Sequence, residues 1–232
     1  MEDSDNSKKI NQIVKAGAKA ILSQIPVASA FTIFLDEYIN SNWQERVNMV
    51  QEDIMKQLSK MDDNIYEKIA ETDNVASIFA STYQSALMDI DENKVELYIK
   101  LLINTINNEH INNSKTHIFL NYLRTFSIMH IKVLQYFSTP HVDERTTGFQ
   151  MEVKDNLSTN QNDSVSIIAQ TNPELVKDIY LLNAVIYDLY NARMLNISSL
   201  NDIMFNTFGA KVIPKTTTSF GDEFIKLITM NS

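Results

Sequence analysis

The chain has 232 residues, 44% of them hydrophobic and 21% charged, which is typical of one large domain or one domain with a small satellite. Its formal net charge of −9 argues against broad phosphate binding, because such binding depends on Lys and Arg displacing counterions. There are no cysteines, which excludes disulfides and thiolate chemistry and fits a reducing, cytoplasmic location.

The most apolar stretch lies near the N-terminus, at residues 16–35. It has about the length that a bilayer requires, but Lys19, Gln24 and Pro26 interrupt it. We therefore predict a buried helical hairpin broken at Pro26. A membrane-acting effector that uses residues 16–35 is an alternative.

A long amphipathic helix is predicted to open at Trp43. Its apolar residues alternate three and four positions apart, which makes a narrow seam. Such a seam suits packing against a bundle partner or another subunit. The candidate partner-binding residues are Trp43, Val47, Val50 and Ile54.

Asp- and Asn-rich caps then predict a series of further helices. The helix over 94–107 is apolar around much of its circumference, which is typical of a central helix. A last helix is predicted to run without a break over 114–138. These patterns predict a helical bundle domain over residues 1–138. Region 139–171 contains Pro140, Gly148 and a long polar run, and it is predicted to be a linker or mobile loop.

The C-terminal region 172–232 has the pattern of a small winged-helix-like module. A helix over 174–194 precedes a candidate recognition helix over 198–208, an extended arm at 212–215 and a closing helix at 219–229. The predicted fold class is therefore all-α, with an N-terminal multi-helix bundle followed by this module.

Winged helices usually read nucleic acid, but this module has few of the charges required. Asn201 and Asn206 are candidates for base contact, and phosphate anchoring would rest on Lys211 and Lys215. The candidate recognition helix contains no Lys or Arg, and acids slightly outnumber bases over 172–232. This deficit favours contact with protein, and a nucleic-acid-binding regulator is an alternative.

No catalytic constellation, metal-ligand spacing or cofactor motif is present, so we predict no cofactor, no metal and no small-molecule substrate. The segment Arg124-Thr-Phe-Ser-Ile-Met-His130 resembles the Arg-x(4–6)-His element of HEPN ribonucleases. The resemblance implies that Arg124 would contact phosphate and His130 would act in acid–base cleavage of RNA. On one continuous helix the two side chains would lie about a third of a turn apart, so this role requires a kink.

Three further segments resemble all-helical bacterial proteins of the abortive-infection (Abi-alpha-like) type. They are Gln24-Ile-Pro-Val-Ala-Ser-Ala with Trp43-Gln-Glu-Arg, Phe119 through Leu134, and Asp188-Leu-Tyr-Asn-Ala-Arg-Met-Leu with Thr217-Thr-Ser-Phe-Gly-Asp-Glu-Phe. The resemblance implies a part in bacterial antiviral defence and implies no reaction. The leading interpretation is a non-enzymatic protein-interaction component of such a system or of a stress response, with a protein partner or self-association.

Overall fold

The computed structural model describes residues 41–58, 60, 73–89, 91–107, 113–142, 159–205 and 211–229. Helical residues make up 76% of these, and the described strands form one two-stranded sheet. The predicted all-α fold is therefore confirmed for the described part of the chain. Two compact units are present, one within residues 1–125 and 227–232 and the other within residues 126–226.

The described part of the first unit is built on a helical bundle. Its helices are α1 (Ser41–Leu58), α2 (Asp73–Met88), α3 (Glu92–Asn107) and α4 (Asn113–Thr125). The central helix is α3, which contacts the other three and buries side chains around most of its circumference. The apolar pattern of 94–107 predicted this position correctly.

The apolar seam of α1 lies in the core of the first unit. Val50, Ile54 and Leu58 are 0–2% exposed, and α1 contacts α2 and α3. Arg46 fixes the same helix to the end of α2. Its Nε and Nη2 donate to the carbonyls of Leu87 and Ala86 at 2.9 and 3.1 Å. A cation is favourable there, because the C-terminal carbonyls of a helix lack intrahelical partners.

The long helix predicted over 114–138 is interrupted. The helix α4 ends at Thr125, and α5 (Ile128–Tyr136) begins after Ser127, whose backbone is extended at φ −78° and ψ 166°. Ser127 and His130 form a capping box that satisfies first-turn amides of α5. The buried ring of Phe126 also packs edge-to-face on Phe224 at 6.2 Å. Local capping therefore overrides the continuous apolar pattern.

The described part of the second unit contains helices and two short strands. In chain order the elements are α5, β1 (His141–Val142), α6 (Thr159–Thr171), a 3₁₀ turn (Pro173–Val176), α7 (Ile179–Asn191), a 3₁₀ turn (Leu200–Asp202), β2 (Val212–Ile213) and α8 (Ser219–Thr229). The strands β1 and β2 are antiparallel, with His141 opposite Ile213.

Part of the predicted linker is a helix. Residues 143–158 lie outside the described residues, but α6 occupies 159–171 and buries Val165, Ile167 and Ile168. The residues before Ser164 are mainly polar, and for this reason the short apolar segment that follows was not predicted to be part of a helix. Residues 126–138, predicted as part of the bundle, belong to the second unit.

A backbone pairing closes the second unit. The N–H of Asn196 donates to the Thr216 carbonyl at 2.9 Å, and the N–H of Thr218 donates to the Met194 carbonyl at 3.0 Å. Leu195 and Thr217 form an antiparallel bridge between these bonds. The chain after α7 is thereby joined to the segment that leads into α8.

Candidate protein-contact face on α7

Both ends of α7 are fixed by local hydrogen bonds. At its start, the carboxylate of Asp178 accepts the N–H of Leu181 at 2.9 Å. At its end, Arg193 takes the left-handed conformation at φ 62°, and the N–H of Met194 reaches the Leu189 carbonyl at 2.9 Å. This is a Schellman-type ending, which stops the helix and directs the chain into the 194–196 segment.

The two sides of α7 differ sharply in burial. Leu182, Val185, Ile186 and Leu189 are 0–2% exposed and hold the helix in the core of the second unit. The opposite stripe, which we call the α7 face, consists of Tyr180, Ala184, Tyr187 and Asn191, and all four side chains are exposed.

Aromatic side chains dominate the exposed part of α7. Tyr180 is 82% exposed and Tyr187 is 55% exposed, with Leu181 and Tyr190 beside them at 50% and 41%. The helix contains no Lys or Arg, and Asp188 is its one charged residue. Such a surface offers large amphipathic contacts and hydroxyl groups, but no cation for a phosphate.

A histidine borders the α7 face. His130 Nε2 lies 3.4 Å from Asp188 Oδ2, and the imidazole stacks on Phe126 at 4.9 Å between ring centroids. His130 Nδ1 accepts the backbone N–H of Ser127 at 3.2 Å and lies 2.8 Å from Ser127 Oγ. Nδ1 is thus an acceptor, so the proton of the neutral ring is on Nε2 and points to Asp188.

This Ser127–His130–Asp188 set has the residue types of a nucleophilic triad. However, its short bonds are those of a capping box, and the Nε2–Asp188 distance is at the outer limit of a hydrogen bond. Asp188 also keeps 59% of its side chain exposed. We therefore interpret the set as a support that orients the Asp188 side of α7.

The predicted recognition helix over 198–208 is reduced to a single 3₁₀ turn in its described part. Leu200 is fully buried, and its N–H donates to Asn183 Oδ1 of α7 at 3.1 Å. After Asp202 the backbone becomes extended at Ile203. Asn201 is exposed on this turn, whereas Asn206 lies outside the described residues.

Both lysines predicted to anchor phosphate are paired with carboxylates. Lys211 Nζ lies 2.6 Å from Asp163 Oδ2, and Lys215 Nζ lies 2.6 Å from Asp222 Oδ2. Partial burial acts to raise the pKa of Asp222, but hydrogen bonds from Lys215 and Thr217 outweigh it, and the pKa is lowered. A phosphate would have to compete with these carboxylates.

The residues of the seam that was predicted to bind a partner differ in how far they are buried. Val50 and Ile54 are buried inside the first unit, where no partner reaches them while the unit is folded. Val47 is half-buried, and Trp43 lies in the first turn of α1 with its side chain outside the described residues. The apolar spacing along α1 is therefore explained by packing within the bundle.

The two residues of the HEPN-like element have separate partners. Arg124 Nε donates to Ser85 Oγ at 2.7 Å and Nη2 donates to the Ser81 carbonyl at 2.9 Å, all in the first unit. His130 is held by Ser127 and Asp188 in the second unit. The helix predicted as continuous is interrupted between these two residues, at 126–127.

A buried ion pair lies in the first unit, beside a cavity of about 360 Å³. Lys94 Nζ lies 2.6 Å from Asp89 Oδ2, which also accepts the Tyr98 hydroxyl at 2.9 Å. Burial acts to raise the pKa of Asp89, but hydrogen bonds from Lys94, the Asp91 N–H and Tyr98 outweigh it and lower the pKa. Burial and the Asp89 carboxylate raise the pKa of Tyr98. Each charge has a partner, so we interpret the cluster as structural.

Among the described residues, no group of three or more His, Asp or Glu side chains is placed to hold a metal ion. Within the same ranges, no helix has both the length and the apolar character that a bilayer crossing needs. Residues 16–35, proposed for membrane action, lie outside them. Comparison of the chain with protein-family models, curated proteins and solved structures finds no significant match.

The residues of the α7 face are not among the site residues predicted from the sequence. Their signal was present in the spacing of Tyr180, Ala184, Tyr187 and Asn191, which places the four on one side of a helix. The opposite stripe is entirely aliphatic, so the tyrosines could have been assigned to the exposed side. The assumed helix start at Glu174 obscured this pattern, because it merged the 3₁₀ turn with α7.

Proposed function

We propose that this chain is a non-enzymatic protein-interaction component and that the α7 face is its contact surface. The observation that carries the proposal is the exposure of Tyr180 and Tyr187 on a helix without a single cation. Tyrosine is enriched at protein interfaces, because its ring gives apolar area while its hydroxyl hydrogen-bonds.

We further propose that the second unit is winged-helix-like and that α7 is its recognition-type helix. The order α5, β1, α6 and α7, followed by the pairing of 194–196 with 216–218, supports this arrangement. In this proposal the module begins near Phe126, and the helix predicted over 198–208 is replaced by α7. Recognition helices of the helix-turn-helix class enter the DNA major groove.

The side chains on α7 support protein contact over nucleic-acid contact. Base reading needs cations nearby to anchor phosphates, and both Lys211 and Lys215 already pair with carboxylates. The one charged group of α7, Asp188, would repel a phosphate backbone. The proposed role therefore uses a nucleic-acid-binding architecture for binding a protein.

The proposed biological setting is bacterial antiviral defence of the abortive-infection type, or a stress response, in the cytoplasm. This part of the proposal rests on the resemblance of the segments around Trp43, Phe119 and Asp188 alone. It assigns no reaction to the chain.

Affinity capture from bacterial cells, with and without phage infection, tests this function. Three baits are compared: wild type, Tyr187→Asp on the α7 face, and Met204→Asp, a control in the same unit whose side chain is 86% exposed. We expect wild type and Met204→Asp to retain the same proteins and Tyr187→Asp to lose them. Salt-sensitive retention of nucleic acid, with no protein lost by Tyr187→Asp, would overturn the proposal.

A further inference from the structure

We propose that the occupant of the α7 face is a second copy of this chain, bound antiparallel about a two-fold axis. This inference rests on the proposed function and names the partner of the same surface. Its starting point is the order of residues along the exposed stripe: Tyr180, Ala184, Tyr187 and Asn191.

The stripe is complementary to its own reverse. When two α7 helices face each other with the axis between Ala184 and Tyr187, each Tyr187 lies opposite Ala184 of the second copy. Each Tyr180 then lies opposite Asn191 of the second copy. Within the stripe, each tyrosine thus meets a smaller side chain, which is how ridges of one helix fit the grooves of another.

The charges along α7 agree with this pairing. No ionised group lies in the centre of the stripe, so identical surfaces can approach without like charges in direct opposition. Asp188 lies at the border, where His130 Nε2 is placed to donate to it. Tyrosine hydroxyls and the Asn191 amide can exchange hydrogen bonds across the axis.

The size of the face predicts a weak dimer. The 13 residues of α7 extend about 20 Å at the helical rise of 1.5 Å per residue. A single helix pair of that length buries less than the roughly 800 Å² per partner of a standard stable interface. We therefore expect a weak association whose extent depends on protein concentration.

Cysteine cross-linking is unusually clean here, because the chain has no native cysteine. In the antiparallel pair, position 180 lies opposite position 191 of the second copy. The two copies of position 180, by contrast, lie about 16 Å apart along the direction of the helices. Tyr180→Cys and Asn191→Cys proteins are therefore treated with a short thiol-specific cross-linker, separately and as an equimolar mixture. Met204→Cys measures random collision, and circular dichroism confirms that each variant is folded.

We expect the mixture to give at least tenfold more covalent dimer than either protein alone or Met204→Cys. Equal dimer yields in the mixture and the single proteins, or no dimer at any concentration, would overturn the inference. If the chain stays monomeric while Tyr187→Asp still loses a different captured protein, self-association fails and the proposed function stands.

Discussion

The backbone of Gly221 in α8 lies directly against the carbonyl oxygen of Met194. A Cβ added at Gly221 would overlap that oxygen and would also press on the Met194 carbonyl carbon and Cα. The same Met194 oxygen accepts the N–H of Thr218, so it is fixed by the pairing that closes the second unit. The glycine in Ser219-Phe-Gly221-Asp222 thus permits the closing helix to dock.

Gly221→Ala is expected to destabilise the protein, because fixed backbone atoms cannot move aside as a flexible side chain would. The expected loss is about 2–3 kcal/mol of unfolding free energy, the upper range for overpacking. Urea denaturation measures it, with Ser219→Ala, at the exposed start of the same helix, as the control. A midpoint for Gly221→Ala equal to that of Ser219→Ala would contradict the close contact.

The Lys94–Asp89 pair is expected to contribute to stability only while Asp89 is ionised. Lys94→Met should cost about 1–3 kcal/mol at pH 7, since it leaves a largely buried carboxylate without its cation. The double variant Lys94→Met/Asp89→Asn should lose less than the sum of the two single variants. Chemical denaturation of all four proteins gives the coupling free energy between Lys94 and Asp89. If the losses of the two single variants add up to that of the double variant, the two residues are not coupled.

The lowered pKa of Asp89 also predicts how stability depends on pH. A carboxyl group with a lower pKa in the folded state stabilises the protein above its ordinary pKa of about 4, and this contribution is lost as the pH falls through the lowered value. Between pH 5 and 2, wild type should therefore lose more stability than Lys94→Met. If the unfolding free energies of the two proteins fall equally over this pH range, the ionised Asp89 carboxylate does not stabilise the protein through Lys94.

The pairing of Lys211 with Asp163 and of Lys215 with Asp222 predicts little affinity for nucleic acid. Filter binding with labelled duplex DNA and RNA at low salt should show no retention by wild type. Lys211→Glu and Lys215→Glu should not change that result. Retention by wild type that both substitutions weaken would favour the nucleic-acid-binding regulator instead.

Arg124 and His130 are expected to act in structure and not in RNA cleavage. Labelled RNA should stay equally intact with wild type and with His130→Ala. Arg124→Ala should lower stability by about 1 kcal/mol, because the bonds to Ser85 and the Ser81 carbonyl are lost. Cleavage by wild type that disappears in His130→Ala would establish the ribonuclease alternative.

The sequence predicted those features that depend on periodicity over a long segment. The central position of the helix over 94–107 and the closing helix at 219–229 follow from apolar spacing, and both are present in the structure. The role of Val50 and Ile54 could not be predicted in the same way. An apolar seam has the same spacing whether it packs inside a bundle or against another subunit.

Short-range effects account for the differences from the predicted elements. Ser127 interrupts a helix that apolar spacing alone would continue, since its extended backbone and the His130 side chain cap a new start. The helix predicted over 198–208 ends after a single described turn, because the backbone becomes extended at Ile203. The Ser127–His130 cap joins residues only three positions apart, and the spacing of apolar residues alone does not reveal such local contacts.

Sedimentation equilibrium of the full chain, with and without duplex DNA at low salt, tests most directly whether the α7 face binds protein. We predict that the mean mass rises with concentration from monomer towards dimer, that DNA does not change it, and that Tyr187→Asp raises the dissociation constant at least tenfold. Met204→Asp should behave as wild type. A chain that stays monomeric at every concentration and sediments with the DNA, in wild type and Tyr187→Asp alike, would contradict the account.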